Sequence, residues 1–509
     1  MRLGIDVGTG MARAATWDED GQPRLVATMP ALARQTMHGL SLGAEAARAR
    51  AGNAETTVCG PTRLMGRAGE LPGDFLERLP YPVREVGGEA VCNLLYAEVR
   101  ASELYGRLVR ALVERAGQVL GESPDGVEVV LTVPASAEDR FRVQARAVVE
   151  ARGVRVKRLI NQPAAALLAA TLPADAARVA VVHCGGGSTD VSLARHVEGE
   201  TRILATAGDM TLGGDDLTWA VARGLDERFQ QTAGIDVFAV DVGRVAALGL
   251  RAAAEEALQT LCLAPETTLV LDHGGGFGRD LATVVRRQDL NAWLCPLMDR
   301  VGELCARALS AAGLRPRQVD AVLLTGDWAH LPTVQERVAQ AFQRPVARLE
   351  TANAPLLPVY GAALAFADVA ASVWDVTPFA LGINCYYGDV ELFSPIIHAN
   401  TSIPTPPVGA NDAYVRHYQT RYPDQDNVTL DVLQYRGPRD PDPHSEVPVT
   451  PQDCEVLGSW QFDGLRPKRG CHAKFTVTFA VDVDGILHLY AKETATGHHL
   501  AAQVDRGIG

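Results

Sequence analysis

Hydrophobic positions follow two different periods along the chain. Up to about residue 369, short apolar runs alternate with segments in which apolar residues recur every three or four positions. The short runs are typical of buried strands, and the recurring positions are typical of amphipathic helices. From residue 370 onward the helical period stops, and strands are predicted at 390–397, 414–422, 428–435, 458–462, 473–483 and 486–493. The sequence therefore predicts an α/β region followed by a compact all-β module.

A βαβ unit supports the α/β assignment. Residues 127–133 and 154–160 are apolar runs that predict two strands. Between them, Ser136 and Asp139 have the spacing of a capping box, and a helix is predicted to follow. An alanine-rich helix opens after the second strand, with Pro163 at an early position where its missing N–H is harmless. A strand, a helix and a strand in this order favour a sheet with parallel strands.

Further elements follow from the same patterns. After an N-terminal hairpin the chain is predicted to be irregular up to residue 50. Helices are predicted at 93–120, 246–263 and 360–369, and strands at 203–207 and 319–324. In the β-module, Asp484 and Gly485 form a two-residue hairpin signal.

The segment 179–192, VAVVHCGGGSTDVS, contains a glycine-rich turn between two strands. Gly185, Gly186 and Gly187 carry no Cβ, so several backbone N–H groups could approach one anion. Ser188 and Asp190 follow the glycines directly. An ordinary glycine-rich hairpin is the alternative, and this segment alone does not decide between the two.

A second turn of this kind lies at the N-terminus. In LGIDVGT the strand carries Asp6 and leads into Gly8, Thr9 and Gly10. Two such hairpins could close on a polyphosphate from opposite sides. A carboxylate beside the turn suits hydrated Mg²⁺, which is usually held through few protein oxygens, so Asp6 is predicted to hold the metal through water.

Two other glycine-rich segments are weaker candidates. Gly213 and Gly214 either approach a ligand or form a plain loop before a helix. Residues 272–280, DHGGGFGRD, have no βαβ context, and a surface hairpin is predicted there rather than a phosphate loop.

Composition excludes several classes of function. The net charge is −13 without a basic stripe, so nucleic acid is not expected as a partner. Nine cysteines without C-x-x-C spacing indicate neither a zinc site nor a disulfide framework, and they fit a reducing cytoplasm. The first strand begins almost at Met1, so no signal peptide is expected. No apolar run is long enough for a bilayer, and no membrane association is expected.

Lysine is scarce, and its positions limit the possible mechanisms. The four lysines are Lys157, Lys468, Lys474 and Lys492. A mechanism that needs a lysine on the N-terminal side of Lys157 is therefore excluded.

Nine segments of the sequence, taken in order, resemble the motifs of a known protein family. In chain order they are LGIDVGT, VKRLINQPAAALLAA, GGGSTDVS, ATAGDMTLGGDDL, LLTGDWAHLPTV, VYGAALAFA, WDVTPFALGI, NTSIPT and VDVDGILHLYAKETATG. Together they resemble the DnaK-type 70-kDa heat-shock chaperone family over nearly the whole chain. The segments in the β-module separate this family from the sugar kinases and actin-like ATPases that share the nucleotide-binding core.

The resemblance implies an architecture and ligands. Residues 1–369 would form an α/β actin-like (ribonuclease H-like) two-lobed nucleotide-binding domain, 370–374 a linker, and 375–509 a β-sandwich substrate-binding domain without a helical lid. ATP or ADP with Mg²⁺ would bind the first domain. Unfolded or extended polypeptide segments would bind the second, and a J-domain co-chaperone and a nucleotide exchange factor are possible partners. A role in protein folding and the stress response follows.

The resemblance also implies roles for individual residues. The first phosphate motif holds Asp6, Gly8, Thr9 and Gly10, and the second holds Gly185, Gly186, Gly187, Ser188 and Asp190. Gly213 and Gly214 follow, and the adenosine motif holds Gly326 and Asp327, where Asp327 replaces a glycine. Four residues match the lining of the peptide groove, namely Ile383, Tyr386, Val428 and Leu430. Ordinary core packing is the alternative for these four, because alternating apolar residues of a sandwich usually face inward.

Three departures from the family pattern affect catalysis. Ala47 aligns where the family has a lysine that orients the attacking water. Gln162 replaces a glutamate and His183 replaces an aspartate. Phosphoryl transfer depends on positioned charge, and one lost group commonly costs about 2.7–4 kcal/mol. The sequence therefore predicts that ATP hydrolysis is weak or absent.

Two departures concern the β-module. Only Val373 and Trp374 are strongly apolar in the linker, so docking is predicted to be weakened. No helical region follows the β-module, so bound peptide is expected to leave quickly.

Three hypotheses remain open. The first is a divergent chaperone that binds ATP and, transiently, apolar peptide. The second is a pseudo-ATPase adaptor or scaffold that holds a specific partner protein. The third is an actin-fold kinase of a small molecule, for which no catalytic base is identifiable.

Overall fold

The computed structural model describes most of the chain. The described residues are all except 51–52, 68–70, 72, 198–199, 240–244, 272–279, 367–372, 407–413, 438–440, 442–446 and 505–509. Within this part, no helix combines the length and the apolar character needed to cross a membrane.

The first part of the chain forms one five-stranded sheet and two small ones. Its strands are β1 Arg2–Val7, β2 Met11–Trp17, β3 Pro23–Pro30, β4 Leu32–Thr36, β5 Gly39–Leu42, β6 Thr57–Cys59, β7 Val83–Val86, β8 Glu89–Asn93, β9 Glu98–Arg100, β10 Glu128–Val133 and β11 Arg155–Asn161. Its helices are α1 Ala44–Ala49, α2 Gly73–Glu77, α3 Ala101–Leu120, α4 Asp139–Glu150 and α5 Gln162–Ala169. The first sheet has the strand order β11-β10-β1-β2-β3, and the small sheets are β5-β4-β6 and β7-β8-β9.

The predicted βαβ unit is confirmed. β10 and β11 pair in parallel, and α4 connects them. The predicted capping box is wrong, because Glu138 and not Ser136 precedes α4. Asp139 instead accepts a hydrogen bond from the N–H of Leu487, 348 residues later, at 2.7 Å. A contact so distant in sequence has no local signal.

Two other predictions in this part are corrected. The segment up to residue 50 is not irregular but contains β3, β4, β5 and α1. The helix predicted from residue 93 begins only at Ala101, since 89–93 and 98–100 are strands of a small sheet. Leu94 and Val99 are buried there, and apolar residues at this spacing fit a hairpin as well as a helix.

The second part of the chain repeats the strand order of the first. Its elements are β12 Arg178–Cys184, β13 Thr189–Val197, β14 Glu200–Asp209, α6 Gly214–Ala233, α7 Val245–Leu263, β15 Glu266–Leu271, β16 Leu281–Arg286, α8 Arg287–Ala311, β17 Ala321–Thr325, α9 Pro332–Ala341, β18 Leu349–Glu350, α10 Leu357–Leu364 and β19 Val373–Val376. The second sheet runs β18-β17-β12-β13-β14-β19 and then takes up one short strand from the β-module. An antiparallel hairpin flanked by a parallel strand therefore forms the centre of both large sheets.

Two sequence predictions concern the edges of this part. The last helix was predicted at 360–369 and lies at Leu357–Leu364, because Pro358 is accommodated in its first turn. The surface hairpin predicted at 272–280 lies, except for its last residue, outside the described residues. The flanking strands β15 and β16 pair antiparallel.

The β-module contains two four-stranded antiparallel sheets. Its strands are β20 Ala380–Tyr387, β21 Val390–Ile397, β22 Ser402–Ile403, β23 Val415–Gln419, β24 Asn427–Tyr435, β25 Glu455–Asp463, β26 Lys474–Val481, β27 Leu487–Glu493 and β28 His499–Gln503. The sheets run β21-β20-β24-β25 and β23-β26-β27-β28, and apolar residues of both form one core. All six predicted strands are present, whereas β20, β22 and β28 were not predicted.

The linker region continues the second sheet. β19 pairs in parallel with β14, with Thr201 opposite Val373, and β22 pairs with the other edge of β19. The α/β character of the first region and the all-β character of the second are thus confirmed as classes of structure.

Candidate functional site

The two glycine-rich turns face each other. A Cβ on Gly186 would lie 3.0 Å from the Cβ of Thr9, and a Cβ on Gly187 would lie 2.3 Å from the Thr9 Oγ1. The β12–β13 turn is held from behind, because the carbonyls of Gly185 and Gly186 accept hydrogen bonds from the first N–H groups of α6 at 3.0 and 2.9 Å. Only glycine permits the two turns to approach this closely.

A small cavity lies between the turns. It measures about 40 Å³, which is room for about three water molecules. Most of the predicted phosphate and adenosine residues line it, namely Asp6, Gly8, Thr9, Gln162, His183, Gly185, Gly186, Gly187, Ser188, Gly326 and Asp327. The structure also places there Arg13, Thr62 and Arg63, which the sequence analysis did not name.

The predicted residues that do not line this small cavity lie close by. Gly10 and Gly214 line a larger neighbouring cavity, as does Ala47. Gly213 packs against Gly187, where a Cβ would lie 2.5 Å from backbone atoms. Asp190 is fully buried and accepts a hydrogen bond from the N–H of Ser136 at 2.9 Å.

Ala47 lines the larger cavity, which also includes Thr9, Gly10 and Gly186, but it does not line the small cavity between the turns. Thr62 does line the small cavity, and its Oγ1 lies 3.5 Å from the Thr9 Oγ1. Arg48, the neighbour of Ala47, is exposed to solvent.

Asp6 is buried and already has several partners. Its Oδ1 accepts hydrogen bonds from the Thr132 hydroxyl at 2.5 Å and from the Gln162 Nε2 at 2.9 Å. The Arg13 guanidinium lies 3.8 Å from the Oδ2 of Asp6 and 2.5 Å from a carboxylate oxygen of Asp327. A simple signal could have found Arg13, because the register of the β1–β2 hairpin pairs it directly with Asp6.

His183 lies beside Asp6, Arg13 and Asp327. Its side chain is buried, and its Nδ1 has no hydrogen-bond partner in the described part of the chain. Burial lowers the pKa of His183, although the carboxylates of Asp6 and Asp327 oppose the shift. The imidazole is therefore neutral at pH 7.

The stability of the protein should reflect this histidine. Unfolded, His183 takes up a proton below about pH 6.5, whereas the folded protein resists protonation. From pH 7.5 to pH 5 we therefore expect the wild type to lose stability relative to His183→Asn, by at most about 1.4 kcal/mol per pH unit below 6.5. Urea unfolding of both proteins at each pH measures this difference.

Asp190 provides the internal control for that experiment. Burial raises the pKa of Asp190 to about 6, so this group favours the folded state as the pH falls below 6. Because both proteins contain Asp190, its contribution cancels in the difference. An unchanged difference between pH 7.5 and pH 5 would mean that His183 has a normal pKa in the folded protein.

A larger cavity adjoins the phosphate turns. It measures about 510 Å³, within the range of small-molecule sites. Its lining combines aromatic and charged side chains from both parts of the α/β region, among them Phe75, Tyr81, Trp219, Arg251, Glu255, Gln259, Cys262 and Trp328. Trp328 lies directly on α6, since a Cβ on Gly214 would overlap its indole ring.

Ion pairs join the two sides of this cleft. Arg63 is buried and donates to the carboxylates of Asp215 at 2.9 Å and Asp216 at 3.0 Å. Burial would raise the pKa of Asp215, but Arg251 and Arg63 outweigh it, so the pKa is lowered. Two further pairs bridge the cleft, namely Arg78 with Asp216 and Arg50 with Glu255, whereas Arg251 pairs with Asp215 within the second part of the chain.

The β-module contacts the α/β region through the turn at Asp484. The Asp484 Oδ1 accepts a hydrogen bond from the N–H of Leu159 at 2.7 Å, and its Oδ2 pairs with Arg146. The backbone carbonyl of Asp484 accepts from the buried Arg142 at 3.1 Å. The predicted hairpin turn thus lies between α4 and β11.

These contacts continue toward the phosphate turns. Arg142 donates to the Asn161 Oδ1 at 2.6 Å, and the Asn161 Nδ2 donates to Asp375 of β19, also at 2.6 Å. Asn161 is followed by Gln162, which bonds Asp6. An unbroken chain of contacts therefore joins the Asp484 turn, the linker strand and the candidate site.

Three of the four predicted peptide-groove residues share one face of a sheet, and the fourth does not. Val428 and Leu430 alternate with Val432 on β24, and Ile383 is paired with Val432, so these residues share the inner face of the sheet. Ile383 and Leu430 are buried in the core, and Val428 is half-buried. Tyr386, three residues from Ile383, lies on the opposite face.

Tyr386 belongs to an exposed aromatic group at the tip of the β20–β21 hairpin. It is 44% exposed, and the Arg421 guanidinium lies 3.9 Å from its ring centre. Tyr387 and Tyr422 are also exposed, and Arg421 lies 5.5 Å from the ring of Tyr422.

Comparison with known proteins adds a further finding. A family model described as Hsp70 protein matches residues 2–507. Two similar proteins, each named chaperone protein HscA homolog, come from Acidithiobacillus ferrooxidans strains ATCC 53993 / BNL-5-31 and ATCC 23270. Each is 30% identical over 516 aligned residues, which cover 98% of this chain and 76% of the relative.

Proposed function

Because the chain belongs to the Hsp70 family, we propose that it is a chaperone that binds ATP or ADP and transiently binds extended apolar polypeptide segments. Its ATP hydrolysis is weak or absent. The observation that carries the proposal is the chain of contacts from the Asp484 turn through Arg142 and Asn161 to Gln162 and Asp6. Such a chain links the nucleotide turns physically to the peptide-binding module.

The proposal includes the division of the chain and its partners. Residues 1–369 are the nucleotide-binding domain, with an actin-like arrangement of two lobes, 370–374 the linker and 375–509 the substrate-binding domain. A J-domain co-chaperone and a nucleotide exchange factor are the proposed regulators. A reducing cytoplasm is the proposed location, since it would keep all nine cysteines as the free thiols observed.

In this proposal the two cavities receive different parts of the nucleotide. The base and ribose would occupy the larger cavity beside Trp328, and the phosphates would reach the turns at Thr9 and Gly186. The small cavity must widen to admit phosphates. Gln162 and His183 supply no negative charge there, and Thr62 supplies no positive charge, so little remains to activate an attacking water.

An adaptor for one partner protein is the second candidate. It is favoured by the burial of Ile383 and Leu430, which leaves them little surface for a peptide. The kinase alternative gains no support, because the family match includes the β-module.

Addition of ATP should stabilise the protein and speed the release of bound peptide. A ligand at 100 times its Kd contributes about 2.7 kcal/mol to the folded state. We therefore expect millimolar ATP to raise the melting temperature in a thermal-shift assay. On the same sample, fluorescence anisotropy of a labelled unstructured apolar peptide should show faster dissociation.

A matched pair of variants locates the effect. Cys262→Trp places an indole ring in the larger cavity and should abolish the ATP-dependent shift, whereas Cys295→Trp, at an exposed position of α8, should retain it. A wild type without any shift would remove nucleotide from the proposal. The adaptor would be favoured if the labelled peptide did not bind and the protein captured one specific partner protein.

A further inference from the structure

The region around Asp6 does not fit a hydrated Mg²⁺ ion. Mg²⁺ requires octahedral oxygen ligands, and protein sites usually supply one or two carboxylates. Here the Oδ1 of Asp6 already accepts two hydrogen bonds, from Thr132 and Gln162. The Oδ2 of Asp6 lies 3.8 Å from the Arg13 guanidinium, so the oxygen left for a metal ion already faces a positive charge. The Mg²⁺ expected from the sequence is therefore not supported by the residues present.

A cation of the chain itself lies at this place. Arg13 lies across the hairpin from Asp6 and lines the small cavity between the glycine turns. Its side chain is 11% exposed, and its two terminal nitrogens point to the carboxylates of Asp6 and Asp327. A guanidinium keeps its charge at every physiological pH and can bind two oxygens of a phosphate at once.

We propose that this protein binds nucleotide without a divalent metal, and that Arg13 neutralises the phosphates in place of Mg²⁺. The inference rests on the proposed binding of ATP or ADP. It specifies how the same site recognises its ligand, and it agrees with weak hydrolysis, because a single positive charge replaces a doubly charged ion.

Asp327 gives the site a second property. It replaces a glycine of the adenosine motif, and its carboxylate lies 2.5 Å from Arg13. Phosphate oxygens and Asp327 therefore compete for the same guanidinium. Before nucleotide binds, Arg13 is held by this carboxylate, so Asp327 weakens nucleotide binding.

Isothermal titration of ADP into the wild-type protein, once with excess EDTA and once with MgCl₂, tests the proposal. We expect dissociation constants that agree within about threefold. Arg13→Met should weaken binding in EDTA by about 10-fold or more, since hydrogen bonds between charged groups are stronger than those between neutral ones. Arg13→Lys should recover part of the loss, and Asp327→Asn should tighten binding in EDTA.

The possible outcomes separate the two proposals. Tight binding with MgCl₂ and none with EDTA would overturn the role of Arg13 and leave nucleotide binding intact. Absence of binding under both conditions would overturn both. The comparison of EDTA with MgCl₂ uses only the wild-type protein. It therefore decides between the two proposals even if circular dichroism shows that a variant fails to fold.

Discussion

Four substitutions made together are expected to raise the rate of ATP hydrolysis by about 10²–10³-fold in the presence of MgCl₂. They are Thr62→Lys, Gln162→Glu, His183→Asp and Arg13→Val. Two new carboxylates would surround Asp6, and removal of the guanidinium would open the space between the turns. A lysine at Thr62 would reach the phosphates, because the Thr62 hydroxyl already lies 3.5 Å from that of Thr9. Single-turnover measurement of phosphate release gives the rate.

The position of the lysine is tested by a matched variant. A second protein carries the same three changes with Ala47→Lys instead of Thr62→Lys. Ala47 lines the larger cavity but not the small cavity between the turns, where Thr62 lies, so this variant should remain at least about tenfold slower. If it were the faster of the two, the assignment of Ala47 from the sequence would be right and the geometric argument for Thr62 would be wrong.

Replacing Arg142 with methionine should release the β-module from the α/β region. Arg142 is buried and bonds the Asp484 carbonyl, the Asn161 side chain and the Ala137 carbonyl. Removing one partner of a buried charged network costs about 3–5 kcal/mol. We expect the free energy of the first urea-unfolding transition to fall by about this amount, and we expect small-angle scattering to show a larger radius of gyration.

An exposed arginine on the neighbouring strand is the control for this experiment. Arg155 begins β11, its side chain is 75% exposed, and it pairs with Glu128. Surface pairs of this kind contribute about 0–1 kcal/mol, so Arg155→Met should leave both measurements nearly unchanged. An Arg142→Met protein with an unaltered radius of gyration would show that β19 and the other contacts suffice to hold the module.

The sequence predicted much of the local structure at the site. The glycines of both turns, the parallel βαβ unit and the alanine-rich helix at Gln162 depend on residues adjacent in the chain, and the structure has them as predicted. Most of the predicted phosphate residues also line one cavity. Their role in binding nucleotide stays a prediction.

What the sequence did not reveal depends on distant contacts. Thr62 reaches the turn at Thr9 through packing between segments 53 residues apart in sequence, and nothing near Thr62 marks that position. Asp139 was assigned to a local cap although its partner is Leu487. Arg13 differs from these two residues, because the predicted hairpin of β1 and β2 implies a residue pairing. That pairing places Arg13 opposite Asp6.

The strand β19, which contains the end of the predicted linker, is held by more than its apolar side chains. Residues 370–372 lie outside the described part, but Val373 and Val376 are buried and Asp375 bonds Asn161. Trp374, the larger apolar residue, is 39% exposed. The backbone pairing of β19 with β14 needs no side chain, so counting apolar residues gave little information about docking.

The position of β19 also affects how this chain behaves toward other copies of itself. When β19 leaves, β14 loses its neighbour and becomes the border of its sheet, with backbone N–H and C=O groups that face water. Such borders are templates to which a foreign strand can add, and natural proteins often protect them with lysine, a residue nearly missing from this sequence. Conditions that separate the two regions should therefore also favour self-association and loss of solubility, so that the pairing of β19 with β14 protects this border of the sheet.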